Sequence, residues 1–124
     1  MYDLSIITID GAKAIDFANN SKDFVEVVFT IDGKEVKAGA DFSPEVKGYA
    51  YPPKLHKPVK KMKDGSPLSW GVKGGEVVAH IYAGAGEYKE DDLHKPTFLR
   101  HQLVDVITFK RTSSEPIATL KARY

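Results

Sequence analysis

Five lysines, Lys54, Lys57, Lys60, Lys61 and Lys63, crowd the stretch GYAYPPKLHKPVKKMKDG at residues 48–65, with no acid before Asp64. A run of this kind can clamp phosphate by charge, and Tyr49 and Tyr51 just upstream could offer ring faces for stacking on bases. The same run can be a solvated loop whose lysines keep a sheet edge from pairing with another molecule. Two features weigh toward the solvated loop. The run holds no arginine, the side chain suited to bidentate phosphate contact, and the whole chain balances eighteen basic against seventeen acidic residues, a net charge of +1. Nucleic-acid binding is therefore the alternative reading and not the leading one.

A second run has the opposite sign. GAGEYKEDDLHKP, residues 84–96, carries Glu87, Glu90, Asp91 and Asp92. These carboxylates lack the alternating D-x-D-x-D-G register of a calcium loop, so an acidic surface loop is expected. The two runs together raise a third possibility, in which the acidic loop of one subunit meets the basic loop of its neighbour and steers a homodimer together. The glycines of AGAGEY lead into Glu87 and not into a lysine with serine or threonine, which excludes a phosphate-cradling loop.

His56, His80, His94 and His101 show no HxH or HxxxH spacing, so no metal site and no cofactor is expected from them. His80 stands apart because it falls in the middle of an alternating run, on the face of Val78 and Tyr82, where it could bond to Asp105 if the strands pair. A small hydrolase or isomerase using His80 and a carboxylate is the enzyme reading. No serine sits in a GxSxG elbow, so a binding or assembly module is preferred to an enzyme, with a second copy of the chain as the expected partner, joined as a homodimer through an exposed edge strand and the complementary charged loops. The aromatic residues form the last constellation: Tyr49, Tyr51, Trp70, Tyr82 and Tyr88 flank the proline-rich and acidic segments, and on one rim they would make a platform for a flat ligand or a sugar ring.

The elements that must position these side chains are short. Ser5–Ile9 (SIITI) reads as a strand ending at Asp10 and Gly11, and AKAIDFAN, residues 12–19, reads as a helix of two turns stopped by Asn19 and Asn20. FVEVVFTIDGKEVK is a hairpin, with Asp32 and Gly33 supplying the positive φ of a type I′ turn. Val25, Val27, Phe29 and Ile31 would share one face of its first strand. The other face mixes Glu26 and Thr30 with Phe24 and Val28, which suggests a central strand covered in part on both sides. KGYAY is a short strand that stops at Pro52, residues 52–68 with four prolines are a long loop, and GVKGGE is a turn with Gly74 and Gly75 at the bend. Residues 76–84, 103–111 and 116–124 resume the strand pattern.

With no cysteine and no apolar run long enough for a membrane span, the chain reads as a soluble cytoplasmic protein, because MYDLSIITIDG has no basic flank leading into an apolar core. The fold expected is all-β: one domain, an antiparallel β-sandwich or flattened barrel with at most one or two short helices. An α+β fold with a helix within residues 87–102 is the alternative. In EVVFTIDGKEV followed by GYAYPP, the chain resembles small uncharacterised bacterial β-sandwich proteins, in which a strand, an IDG or VDG turn and a G-Y-x-x-P segment follow in order. That resemblance covers about residues 24–53. It implies an accessory or extracytoplasmic β-sandwich and carries over no site residues.

Overall fold

The computed structural model describes residues 1–36, 48–62, 65–71, 73–88 and 107–124, with the backbone alone at 87, 88 and 107–109. Lys63, Glu90, Asp91, Asp92, His94, His101 and Asp105 lie outside the described residues, as do the side chains of Glu87 and Tyr88 and, beyond Tyr88, the segment in which a second helix was an alternative. Among the described residues the chain forms nine strands and no helix.

The first departure from expectation comes early. β1 (Tyr2–Ile9) and β2 (Ala12–Asn19) form a hairpin paired from Tyr2↔Asn19 to Ile9↔Ala12, so the helix expected over AKAIDFAN is a strand. Asp10 and Gly11 sit at φ 52° and 80°. They are the twin of Asp32 and Gly33, at 52° and 86°, which turn β3 (Val25–Ile31) into β4 (Lys34–Glu35). The same dipeptide therefore does the same work twice, since both central residues of a type I′ turn need positive φ. Alanine and lysine favour a helix locally, but two turns of helix are marginal alone. β2 instead gains ladders on both sides, with β1 and with β6 (Leu55–Val59), while alternation buries Ile15 and Phe17 completely.

β6 is the second correction, because it lies inside the segment expected to be loop. β5 (Tyr49–Tyr51) ends at Pro52 and Pro53, Lys54 reverses the chain at φ 63°, and the strand then pairs Leu55–Val59 antiparallel with β2. Pro58 is tolerated because β6 is the edge of its sheet, where a missing N–H breaks no ladder on the free side.

β1, β2 and β6 make a three-stranded sheet in the order β1-β2-β6. The second sheet is built on two long neighbours, β3 and β7 (Glu76–Tyr88), paired antiparallel from Val25↔Ala83 to Ile31↔Val77. Each has its other flank shared by two short strands. β5 and β4 divide the outer side of β3, while β8 (Ile107–Arg111) and β9 (Ala118–Arg123) divide that of β7. The sheets face one another and do not close into a barrel. Phe17 of the first meets Phe29 and Tyr51 of the second edge-on, at ring separations of 5.8 and 4.8 Å. Val25, Val27 and Phe29 of β3 and Val77, Ala79 and Ile81 of β7 fill the space between the sheets and are fully buried, as the alternation in the sequence requires. No described helix is long and apolar enough to cross a membrane.

Candidate binding site

The expected aromatic platform does not assemble. Tyr49 and Tyr51 retain 8% and 2% of their exposure, so their ring faces are in the core and not on a rim. The cause is register: they pair with Val27 and Val25, whose side chains point inward, and the tyrosines must follow. Their hydroxyls reach the edge of the core and donate to the carbonyls of Lys61 and Lys57, at 3.4 and 2.9 Å. Burial pushes the Tyr51 phenol far above its usual range. The rings that were to stack on bases beside the lysine run are therefore inaccessible. Tyr82 and His80 lie on the opposite, outer face of the second sheet, and Trp70 is half-buried at one end of the sandwich.

The described lysines of the run, Lys54, Lys57, Lys60 and Lys61, lie on β6 and the residues on either side of it. Lys54 donates through Nζ to the Asn20 carbonyl at 2.8 Å, while Lys57, Lys60 and Lys61 are exposed. Between them His56 places Nε2 2.6 Å from Asp16 Oδ1 on the outer face of the three-stranded sheet. This pair lines a shallow depression of about 450 Å³ with Asp3, Ser5, Asn20 and neighbours. Serine, carboxylate and histidine share this surface in the wrong order for acyl transfer. Ser5 is opposite Asp16 on β1, and His56 approaches Asp16 from β6, so two interstrand spacings, roughly 9.6 Å, separate serine from histidine. A nucleophile and its base need hydrogen-bond reach.

On the outer face of the second sheet Glu26 is fully buried, against every expectation for a carboxylate. Its Oε2 accepts the Gly48 N–H at 2.7 Å and its Oε1 accepts Arg111 Nε at 2.9 Å. Arg111 reaches from β8 across β7 by lying on Tyr82, with the guanidinium carbon 3.6 Å from the ring centre. The bond to Glu26 raises the arginine pKa further. His80 is on the same face, but its register partners are Val28 and Thr119, not a carboxylate.

The most developed surface constellation is at the end of the sandwich where the Asp32 turn meets the chain's last residue. The Tyr124 hydroxyl donates to Asp32 Oδ2, and the Glu76 N–H donates to Asp32 Oδ1 at 2.8 Å. Those two bonds, the phenol first, hold the Asp32 carboxyl below the usual carboxylate range. Withdrawal from water and then the bond to Asp32 push the Tyr124 phenol up. The approach is close enough to dictate two residues nearby: a Cβ at Gly71 would lie 1.8 Å from Asp32 Oδ2, and one at Gly75 would lie 2.1 Å from Oδ1. The turn expected in this segment falls on Lys73 and Gly74, and Gly71 and Gly75 on either side of it form the wall of this cluster. Trp70 packs edge-on against Tyr124, with ring centres 5.1 Å apart and planes at 79°. Lys13, at the start of β2, holds Nζ 4.5 Å from the centre of the Tyr124 ring and 6.0 Å from that of Trp70.

A largely apolar groove of about 270 Å³, lined by Val36, Met62 and Leu68 together with Lys34 and Glu35, also includes Ile31 and Ser69, the chain neighbours of Asp32 and Trp70. Of this group the sequence reading found Trp70 alone. Tyr124 had a weak signal as an aromatic residue ending an alternating strand. Lys13 has none, because the helix-forming composition of AKAIDFAN hides the strand that carries it to the rings.

No family model, curated protein or solved structure matches the chain.

Proposed function

We propose that the protein is a binding module and that its contact surface is the corner of Trp70, Tyr124, Lys13 and Asp32. The observation that carries this reading is the edge-to-face pair of Trp70 and Tyr124, two half-buried rings beside a lysine and a carboxylate. Aromatic side chains with a few fixed polar groups are the usual make-up of a ligand site. The order of Ser5, Asp16 and His56 supports binding over acyl-transfer catalysis. The burial of Tyr49 and Tyr51 weakens the nucleic-acid alternative by removing its stacking residues, leaving charge alone.

The test is a fragment screen followed by nuclear magnetic resonance on uniformly 15N-labelled protein. Because Trp70 is the single tryptophan, its indole N–H gives one isolated signal. Fragments that bind are expected to shift that signal and the backbone amides of residues 69–71, 75 and 124. Shifts confined to the Asp16–His56 depression, or no binding fragment at all, would remove the corner as the contact surface.

A further inference from the structure

The corner already holds a ligand of a kind, and that ligand is an ammonium group. Lys13 Nζ stands over the face of Tyr124 at 4.5 Å and within 6.0 Å of Trp70, both inside the range in which a ring quadrupole attracts a cation. Three further features suit the place to a cation. Asp32 takes the Tyr124 hydroxyl proton as a hydrogen bond, and a phenol that donates to a carboxylate carries more electron density on its ring face. The same carboxylate puts a negative charge behind the phenol, held in place by the Glu76 N–H. The walls are set by close packing, since neither Gly71 nor Gly75 can accept a side chain while Asp32 keeps its position. Lys13, by contrast, is itself exposed. It reaches the rings on a flexible stem and can leave without uncovering any core.

We infer that the Trp70–Tyr124 corner is a recognition site for an organic ammonium group, and that Lys13 is its internal occupant in the free protein. This deepens the reading above and rests on it. A quaternary or methylated ammonium competes well for such a place, because it keeps the charge while shedding the tightly held water of a primary ammonium. Two sources share this chemistry, a free quaternary ammonium compound and a methylated lysine on another protein.

Trp70 fluorescence reads the site directly. Choline, its neutral isostere 3,3-dimethylbutan-1-ol, and N-acetyl-trimethyllysine methylamide would each be titrated into the wild-type protein and into Lys13→Ala, with circular dichroism confirming that the variant is folded. The two cations are expected to give saturable changes, and Lys13→Ala to bind them about fivefold more tightly, a factor matching the loss of one exposed cation–π competitor. The neutral alcohol should give a much weaker response. Tighter binding of the methylated lysine than of choline would assign the source to a protein side chain, and the reverse order to a free compound. Either order supports the inference. It is overturned if the alcohol binds as well as choline, which would leave the corner a binding site for uncharged ligands, or if removing Lys13 leaves affinity for the cations unchanged. Tyr124→Phe gives an independent check, since it keeps the ring and loses the hydroxyl, with its bonds to Asp32 and to the Gly71 backbone. It should weaken choline binding while the fold is retained, and unchanged binding would discard the role given to Asp32.

Discussion

The two sheets each carry a carboxylate paired with a base on the outer face, and the pairs differ in almost everything except distance. Asp16 and His56 meet at 2.6 Å with the histidine side chain 63% exposed, whereas Glu26 meets Arg111 at 2.9 Å with the glutamate at 0%. Water screens the first pair and competes for both partners, so its contribution to stability is small. The second carboxylate has lost its water and depends on the Gly48 N–H and on Arg111, which in turn is held flat by Tyr82. Removing one partner of such a pair leaves a buried charge without compensation, which costs far more than the pair contributes as a whole. Proximity alone does not make an ion pair structural; the surroundings decide.

The sharpest way to break this contrast is Arg111→Met, which keeps some packing on Tyr82 and takes the cation away from Glu26. Urea unfolding should show a loss of about 3 kcal/mol, and adding Glu26→Gln in the same chain should recover part of it. A loss no larger than that of an Asp16 variant would mean that Glu26 is not dependent on the arginine.

Asp32 tests the middle ground, as an exposed carboxylate with built-in donors. Its pKa is lowered in the folded protein, so its contribution to stability is present above the ordinary carboxylate value and is lost as the pH falls through the lowered one. Thermal unfolding of the wild type should therefore weaken below about pH 4, and Asp32→Asn should flatten that part of the profile. An acid limb identical in the two proteins would show that Tyr124 and Glu76 do not hold the carboxylate.

The smallest effect is expected at the exposed pair. Asp16→Asn and His56→Gln should each change stability by no more than about 0.5 kcal/mol, and 1 M salt should erase the difference. A larger, salt-resistant loss would place the depression of Asp3, Ser5 and Asn20 among the structural parts of the molecule.

How far the sequence could be read depended on whether a signal was local. The hairpin at Asp32 and Gly33 was legible because a type I′ turn is specified by the residues that occupy it. The same signal was present at Asp10 and Gly11, yet the helix-forming composition of AKAIDFAN masked it. Asn19, expected to stop that helix, instead accepts from Ser21 and donates to the carbonyls of Asp23, Tyr51 and Pro52, tying three segments together from a buried position. Nothing in its neighbours indicates that role. The central position of β3 was legible from the mixed outer face of its strand, but not that Glu26 would be the buried member, because Arg111 is 85 residues away.

By itself the sequence determined the all-β class, which residues of β3 and β7 share a face, and the turn chemistry of the hairpin, since each follows from side-chain alternation or from allowed φ over a few residues. The tertiary structure alone decided that β2 is a strand, that Tyr49 and Tyr51 belong to the core, and that Lys13, Trp70, Asp32 and Tyr124 meet at one corner. Those outcomes depend on pairing and packing between segments far apart in the chain, and the energies of such contacts exist only once the sheets have come together.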